Sequence, residues 1–386
     1  MTAAALRAAD LRHALAAQLA ADNHLTPQWR KAVEAVPREA FLGEAMFRRL
    51  DDEGGPTWWE PLHRSDVKEE EWLGLAYTNA TWVTQIDGVN AADATEPLTG
   101  TPTSSSSLPA VVVDMLEVTG LVEGESVLEI GTGTGYSAAL MCQRLGGDAV
   151  TSIEVDPVVA ERARQTLTAL GYEPTLVVGD GLCGYEQTFE YDRLIATCAA
   201  RYIPAPWMRQ VRDGGTITVP LWGWMHGYAL AHLTLADDGT ASGHFSQVDV
   251  SFMPARPYTA PPITHYRLNR GDARESRIDP KILGDWTGRF VAQLGAPSAQ
   301  LIGAGDRVTL LDVATGSQAS TKPDPEGGWT VRQYGPLRLW DGIEGAVVAW
   351  QEMSSPHQSA FGLTVTPDGQ YVWLGTPDGP RWNLPA

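Results

Sequence analysis

From Ser126 onward the chain alternates short apolar, β-branched runs with longer stretches in which apolar residues return at helical spacing. The runs Ser126–Ile130, Ala149–Glu154, Thr175–Val178, Tyr191–Ala196 and Gly215–Pro220 predict strands, and Tyr136–Leu145, Val158–Leu170 and Ala205–Val211 predict the helices between them. Strands without polar alternation are buried on both faces, which implies a parallel sheet covered by helices. Tyr228–Leu235 and Gly243–Phe252, on either side of Asp237-Asp238-Gly239, predict an antiparallel hairpin completing that sheet. The expected class is α/β, with a central, mostly parallel seven-stranded sheet.

The flanks read differently. Leu11, Leu15 and Leu19 predict an amphipathic N-terminal helix, and Thr26-Pro27 opens a second that runs through Val36. An irregular, Trp-rich stretch follows (Trp58, Trp59, Trp72, with charges from Lys68 to Glu71). Trp58, Trp59, Trp72 and Trp82 are candidates either for a peptide groove or for buried core. Gly100 to Ser107 reads as a polar loop before an apolar helix, Leu108 to Val118. After Pro254, Pro257, Pro261 and Pro262, a helix carries Trp340, Ile343, Val347 and Trp350 on one face, and Phe361 to Leu374 reads as a hairpin around Pro367-Asp368-Gly369. Three segments are therefore expected: 1–107, an N-terminal helical extension on the substrate side; 108–252, the core; and 253–386, a small α+β C-terminal domain.

Composition narrows the function. Of 386 residues 43% are hydrophobic, enough for a substantial core, and the formal net charge of −19 argues against a nucleic-acid partner. Cys142, Cys183 and Cys198 lack pair spacing, so neither a disulfide framework nor a metal site is indicated. Arg7, Asp10, Arg12 and His13 interrupt the N-terminal apolar run, which excludes a signal peptide or membrane span there and suggests a reducing, cytoplasmic setting.

The chemistry concentrates at the carboxyl ends of the predicted parallel strands. Val127-Leu128-Glu129-Ile130 meets the turn Gly131-Thr132-Gly133-Thr134-Gly135, whose glycines let backbone approach a ligand and turn into a helix. No Gly-Lys-Ser/Thr follows, so a P-loop is excluded. Glu129 is placed to meet an ammonium group. Glu154 ends the second strand, where a carboxylate can hold ribose hydroxyls, and Asp180 with Gly181 follows the third, where it can accept from an adenine amino group. An amino acid, a ribose and an adenine together specify S-adenosylmethionine. The expected cofactor-binding residues are Glu129, Gly131, Thr132, Gly133, Thr134, Gly135, Glu154, Val155, Asp180, Gly181 and Thr197. After the fourth strand stands Ile195-Ala196-Thr197-Cys198-Ala199, with neither the Asp/Asn-Pro-Pro-aromatic of base amino methylation nor a Pro-Cys nucleophile.

These residues resemble the protein-L-isoaspartate O-methyltransferase family. Val36-Pro37-Arg38-Glu39-Ala40-Phe41 and Ala76-Tyr77 are similar to two of its N-terminal signatures. Ser105-Ser106-Ser107-Leu108-Pro109 is similar to its Thr-Ile-Ser-x-Pro, and Tyr191-Asp192-Arg193, Asp213-Gly214-Gly215 and Val219-Pro220 continue the match. The resemblance spans roughly residues 25 to 235 and implies a Rossmann-like class I methyltransferase fold. It puts Ser107 at the methyl-transfer site in the place of the family serine, Ser105 in that of its threonine, and Ser106 between them. Ser104, Thr103, Thr84 and Gln85 are expected on the substrate side. A carboxylate is already ionised at neutral pH, so hydroxyls beside a helix N-terminus need only hold it in line.

Two expansions, about Leu42 to Leu75 and Trp82 to Thr101, and the addition from Phe252 to Ala386 depart from the family pattern. The Pro102–Ser107 stretch and Phe361–Gly369 are similar to methyltransferases of ATP-grasp (graspetide) peptide maturation. That likeness implies methylation of an Asp side chain in a macrocyclised precursor peptide, the ester then closing to an aspartimide. L-isoaspartyl protein repair is the enzyme alternative, and a cofactor-binding module that delivers a precursor peptide is the alternative of another class.

Overall fold

Four of the apolar runs pair in parallel. In the computed structural model, which describes residues 3–50, 56–186, 190–263, 270–303, 305 and 307–385, they are Val127–Ile130, Val150–Glu154, Thr175–Val178 and Tyr191–Ala196. Val127–Ile130 lies between Val150–Glu154 and Tyr191–Ala196, and Thr175–Val178 pairs on the far side of Val150–Glu154. Every residue of Val127–Ile130 and Val150–Glu154 is buried, as strands covered on both faces require. Strand order reverses at Val127–Ile130, so the carboxyl ends there open on the crevice where such sheets bind ligands. Helices Tyr136–Leu145 and Pro157–Ala169 follow the first two strands. The second starts sharply, because Pro157 takes its first turn and the Asp156 carboxylate accepts from Val158 N and Val159 N.

These strands belong to the first of two compact units, Met1–Thr197 with Arg209–Arg212; the second comprises Cys198–Met208 and Asp213–Ala386. Compactness divides the chain at places other than 107 and 252.

The N-terminal part of the first unit corrects the sequence reading. Helices Ala3–Ala21 and Pro27–Ala35 are present. The expected irregular region instead builds an antiparallel sheet of six strands: Ala45–Leu50, Trp58–His63, Trp82–Ile86, Val89–Asn90, Leu98–Thr99 and Pro102–Ser106. The two expansions are thus one structure, and the expected polar loop Gly100–Ser107 supplies its last strand. Its pattern is hard to see because the strands are short and hold Arg48, Arg49, Glu60 and Pro61, while Ala45, Phe47, Val83 and Ile86 pack with Ala91 and Ala94. The tryptophans do not share one surface. Trp72 is fully buried, Trp59 packs against the sheet's core, and Trp58 is exposed.

In the second unit, Val211–Trp222 pairs antiparallel with Tyr228–Leu235, and Ala241–Phe245 follows, so the hairpin's second strand ends seven residues earlier than the Phe252 expected. Phe361–Thr366 then pairs with Ala241–Phe245, and Gly369–Leu374 and Arg381–Asn383 follow, giving six strands in antiparallel order. Both the expected count of seven and the expected separation of a C-terminal domain are corrected here. The Phe361–Leu374 hairpin forms as read, but it extends the preceding sheet. A further five-stranded antiparallel sheet runs between residues 272 and 334. Ser317–Pro323 is polar and partly exposed, and Thr309–Asp312 is only four residues long, so neither stands out in a hydrophobicity pattern. Helices Trp286–Gly295 and Leu339–Glu352 approach so closely that a Cβ on Gly295 would stand 2.3 Å from Gly342 O.

Candidate functional site

Strand Val127–Ile130 runs directly into the glycine turn. Gly131, Gly133 and Gly135 adopt φ of 100°, 54° and 92°, the left-handed region that glycine enters without strain. Gly135 also lacks room for a side chain, since a Cβ would lie 3.3 Å from Ala163 Cβ and Leu167 Cδ1. The backbone N–H groups of Gly131 and Thr132 both donate to Ile153 O, at 2.9 and 3.1 Å, fastening the turn to the neighbouring strand.

Glu129 lies beneath this turn with no solvent exposure. Ser137 donates to one of its carboxylate oxygens and Ser152 to the other, the latter at 2.6 Å, while Thr132 Oγ1 is 2.6 Å from Ser152 Oγ. Burial pushes the Glu129 carboxyl up to about 7, against the two serine hydroxyls and with a further push from the charge of Glu154. The group expected to meet an ammonium is enclosed among hydroxyls and braces the turn. Thr132 was expected at the cofactor instead, and Ser137 and Ser152 had no signal in the linear pattern beyond being polar residues in apolar segments.

Around the turn, the residues expected to hold the cofactor converge on the carboxyl ends of the parallel strands. Glu154 accepts from Gly133 N at 2.9 Å and from Asp156 N at 3.0 Å. Beside it, Val155 is 41% exposed, and Val178 at the end of the next strand is 49% exposed, so an apolar flank faces solvent there. Asp180, at an exposed position, accepts from Leu182 N at 2.9 Å. Gly181 passes so close to the first strand that a Cβ would stand 2.5 Å from Ile130 Cγ2. Thr197 N donates to Ile130 O at 2.9 Å, and its hydroxyl donates to Gly131 O.

The serine tract comes to the same place from the antiparallel sheet. Pro102–Ser106 pairs with Trp82–Ile86, Ser105 opposite Val83 and Ser104 opposite Gln85. Ser105 O lies 3.7 Å from the point where a Cβ on Gly133 would be, so this strand covers the glycine turn. Burial alternates along it: Ser105 and Ser107 are half-buried, whereas Ser104 and Ser106 are buried. Ser106 is 1% exposed and its hydroxyl has no hydrogen-bond partner among the described residues, so it does not share the accessible face of Ser105 and Ser107. Thr84 Oγ1 donates to Ser104 Oγ, and Thr103 Oγ1 donates to Gln85 Oε1, so these four candidates bind one another across the strands.

Two features of the acceptor side were missed. Helix Pro109–Thr119 begins just beyond Ser107, but Leu108 N donates to Thr81 Oγ1 and Ala110 N to Asn79 Oδ1. Part of the expected free helix entrance is therefore already occupied. Arg38, fully buried, donates to the carbonyls of Ala76, Thr78, Ala80, Ser106 and Ser107. Burial lowers its guanidinium to about 10, which leaves it charged at neutral pH. It joins the segments that the sequence marked separately as Val36–Phe41 and Ala76-Tyr77; Tyr77 also donates to Glu39.

Comparison with known proteins gives one consistent result. Residues 67–256 match the family model for Protein-L-isoaspartate(D-aspartate) O-methyltransferase (PCMT). A protein-L-isoaspartate O-methyltransferase 2 of Polaromonas is 36% identical over 149 residues, 38% of this chain and 69% of the relative. A protein-L-isoaspartate O-methyltransferase of Ignicoccus hospitalis is 44% identical over 117 residues, 30% of this chain and 56% of the relative. The chain thus spans a little over half the length of the first curated relatives it matches. A solved protein-L-isoaspartate O-methyltransferase shares the fold at a TM-score of 0.54 and 21% identity, covering 95% of this chain and 100% of its own.

Two expected outcomes follow from the geometry. Arg38→Met withdraws the donor from every carbonyl it serves and is expected to cost at least about 3 kcal/mol, seen as a lowered urea midpoint. A midpoint within error of the parent would remove Arg38 from its anchoring role. Glu129 holds its proton more tightly folded than unfolded, so its contribution to stability is full below pH 4.5 and is lost as pH rises through about 7. Urea unfolding between pH 5 and 8 should show a steeper decline for the parent than for Glu129→Gln; parallel profiles would contradict the buried carboxyl.

Proposed function

The chain belongs to the protein-L-isoaspartate(D-aspartate) O-methyltransferase family, and we propose that it is an S-adenosylmethionine-dependent O-methyltransferase acting on an aspartyl-type carboxylate of a peptide. The observation that carries this reading is the serine strand lying over the glycine turn, with Ser105 O 3.7 Å from the missing Cβ of Gly133. The closeness of that backbone to the turn supports an acceptor held by Ser105 and Ser107 beside the cofactor.

The residues present fit the cofactor. The turn has no side chain at Gly133, the Glu154 carboxylate suits two ribose hydroxyls, Val155 and Val178 offer an apolar flank for a purine face, and the exposed Asp180 suits an exocyclic amine. Bound there, S-adenosylmethionine supplies a methyl group on a sulfonium, whose carbon–sulfur bond breaks as a carboxylate oxygen forms the new carbon–oxygen bond. Ser107 and Ser105, half-buried on one side of their strand, donate hydrogen bonds that orient the acceptor carboxylate; no general base is required, because that group is already an anion. Thr197 steadies the turn through Gly131 O, and Arg38 fixes the backbone on which Ser107 sits.

The relatives named above carry L-isoaspartate in their names, and an L-isoaspartyl peptide is the first substrate proposed for this chain. A second reading is favoured by the six-stranded sheet that the expansions build around the serine strand. In it the acceptor is an Asp side chain of a macrocyclised, ribosomally made precursor peptide in the cytoplasm. The next residue's backbone nitrogen then attacks the ester carbonyl, giving up its proton as methanol leaves, and an aspartimide closes.

Mass spectrometry of both peptides incubated with the protein and S-adenosylmethionine tests the assignment. Gain of one methyl on the isoaspartyl peptide supports the first reading. Methylation followed by loss of methanol on the macrocycle alone supports the second, and no methyl on either favours a delivery module. Ser107→Ala is expected to lower kcat roughly 10- to 100-fold while S-adenosylhomocysteine affinity in calorimetry stays unchanged; undiminished turnover would remove Ser107 from the acceptor site.

A further inference from the structure

We propose that Gln85 is a positioning residue that couples occupancy of the cofactor-side carboxylate to the order of the serine strand, an inference that rests on the function proposed above. Gln85 stands in strand Trp82–Ile86, opposite Ser104, and is 1% exposed. Its side-chain amide faces two ways. Oε1 accepts from Thr103 Oγ1 at 2.7 Å, on the strand that carries the serines, and Nε2 donates to Asp156 Oδ2 at 3.1 Å and to Asn90 Oδ1 at 3.3 Å.

Asp156 extends the connection. Its backbone N–H donates to Glu154 Oε1 at 3.0 Å, while Glu154 Oε2 accepts from Gly133 N at 2.9 Å. Gly133 in turn lies beneath Ser105 O. The hydrogen bonds therefore run from the serine strand through Gln85, Asp156 and Glu154 to the glycine turn, and the strand returns over that turn. Asp156 Oδ1 is meanwhile engaged by Val158 N and Val159 N at the start of helix Pro157–Ala169, so the carboxylate has a fixed position from which to orient Gln85.

The residue type matters for a chemical reason. An ionised carboxylate only accepts, so Nε2 must face Asp156, and Oε1 is thereby presented to the Thr103 hydroxyl. No other side chain of this length both donates and accepts in those directions; glutamate would set a second carboxylate against Asp156. A ligand that engages Glu154 acts on one end of this series, and an acceptor held by the serines acts on the other. By linkage, each then changes the affinity of the other by the same factor, for which about 5- to 20-fold is expected.

The test uses the full chain, with S-adenosylhomocysteine as the probe. Calorimetry measures its binding, and hydrogen–deuterium exchange follows backbone amides 103–107, in the parent, Gln85→Ala, Gln85→Glu and Asp156→Ser. The last keeps a helix-capping hydroxyl but is too short to reach Gln85. The parent is expected to bind the probe and to slow exchange in 103–107 about tenfold. Gln85→Ala and Asp156→Ser should bind it yet lose most of that slowing, and Gln85→Glu should bind more weakly than Gln85→Ala. Variants that bind the probe and protect the strand as the parent does would overturn the coupling and leave the proposed function standing. A parent that gives no binding heat would overturn both. If Gln85→Ala does not fold, Asp156→Ser decides between these outcomes.

Discussion

The Arg38 guanidinium, buried and donating to carbonyls on two separate stretches of chain, is the constraint on which the acceptor side depends. A charged group without solvent needs partners for its N–H donors, and here the two terminal nitrogens donate to backbone oxygens at Ala76, Thr78, Ala80, Ser106 and Ser107, while Nε has no partner among the described residues. Those oxygens lie at the end of helix Glu69–Ala76, in the turn after it and at the end of the serine strand. The turn joins that helix to strand Trp82–Ile86, and Ser107 joins the serine strand to helix Pro109–Thr119, so the cation ties two connections together. The demand of one cation for partners therefore fixes where Ser107 sits, and the same 78–81 segment supplies Asn79 and Thr81 to the start of helix Pro109–Thr119.

The cofactor side is held by a carboxylate in the opposite role. Glu129 is enclosed by Ser137, Ser152 and Thr132 and supports the glycine turn from below, while Glu154 engages the turn from its rim through Gly133 N. The two acids bound the turn with different environments. Burial raises Glu129 to about 7 and makes it a structural group near neutral pH, whereas Glu154 accepts from the backbone of Gly133 and Asp156 at the end of its strand. In this member of the protein-L-isoaspartate(D-aspartate) O-methyltransferase family, a six-stranded sheet brings the serine strand against the glycine turn.

Much of this was legible in the residues. Thr175–Val178, Tyr191–Ala196 and Tyr136–Leu145 fall where the periodicity puts them, and Val127–Ile130 and Val150–Glu154 differ by a single residue at one end. Apolar runs closed by an acid and a glycine turn are strong local signals, because burial on both faces and left-handed backbone each leave few residue types possible. The antiparallel sheets were not legible. Trp58–His63 contains Pro61, and Ser317–Pro323 contains hardly an apolar side chain; each is a strand because of the partner it meets. The serine tract misled in the same way, since four serines in a row look like a loop until Trp82–Ile86 pairs with them.

The sequence by itself determined the parallel strands and the glycine turn, because those follow from neighbours within a few positions. Tertiary structure decided which hydroxyls of the serine tract stay accessible, that Glu129 is enclosed, and that Arg38 and Gln85 hold the acceptor strand in place. Each of those outcomes joins groups dozens of positions apart, as Arg38 does with Ser107 and Gln85 with Asp156. A hydrogen bond between such groups depends on how sheets and helices stack, and that information is absent from any local pattern of residues.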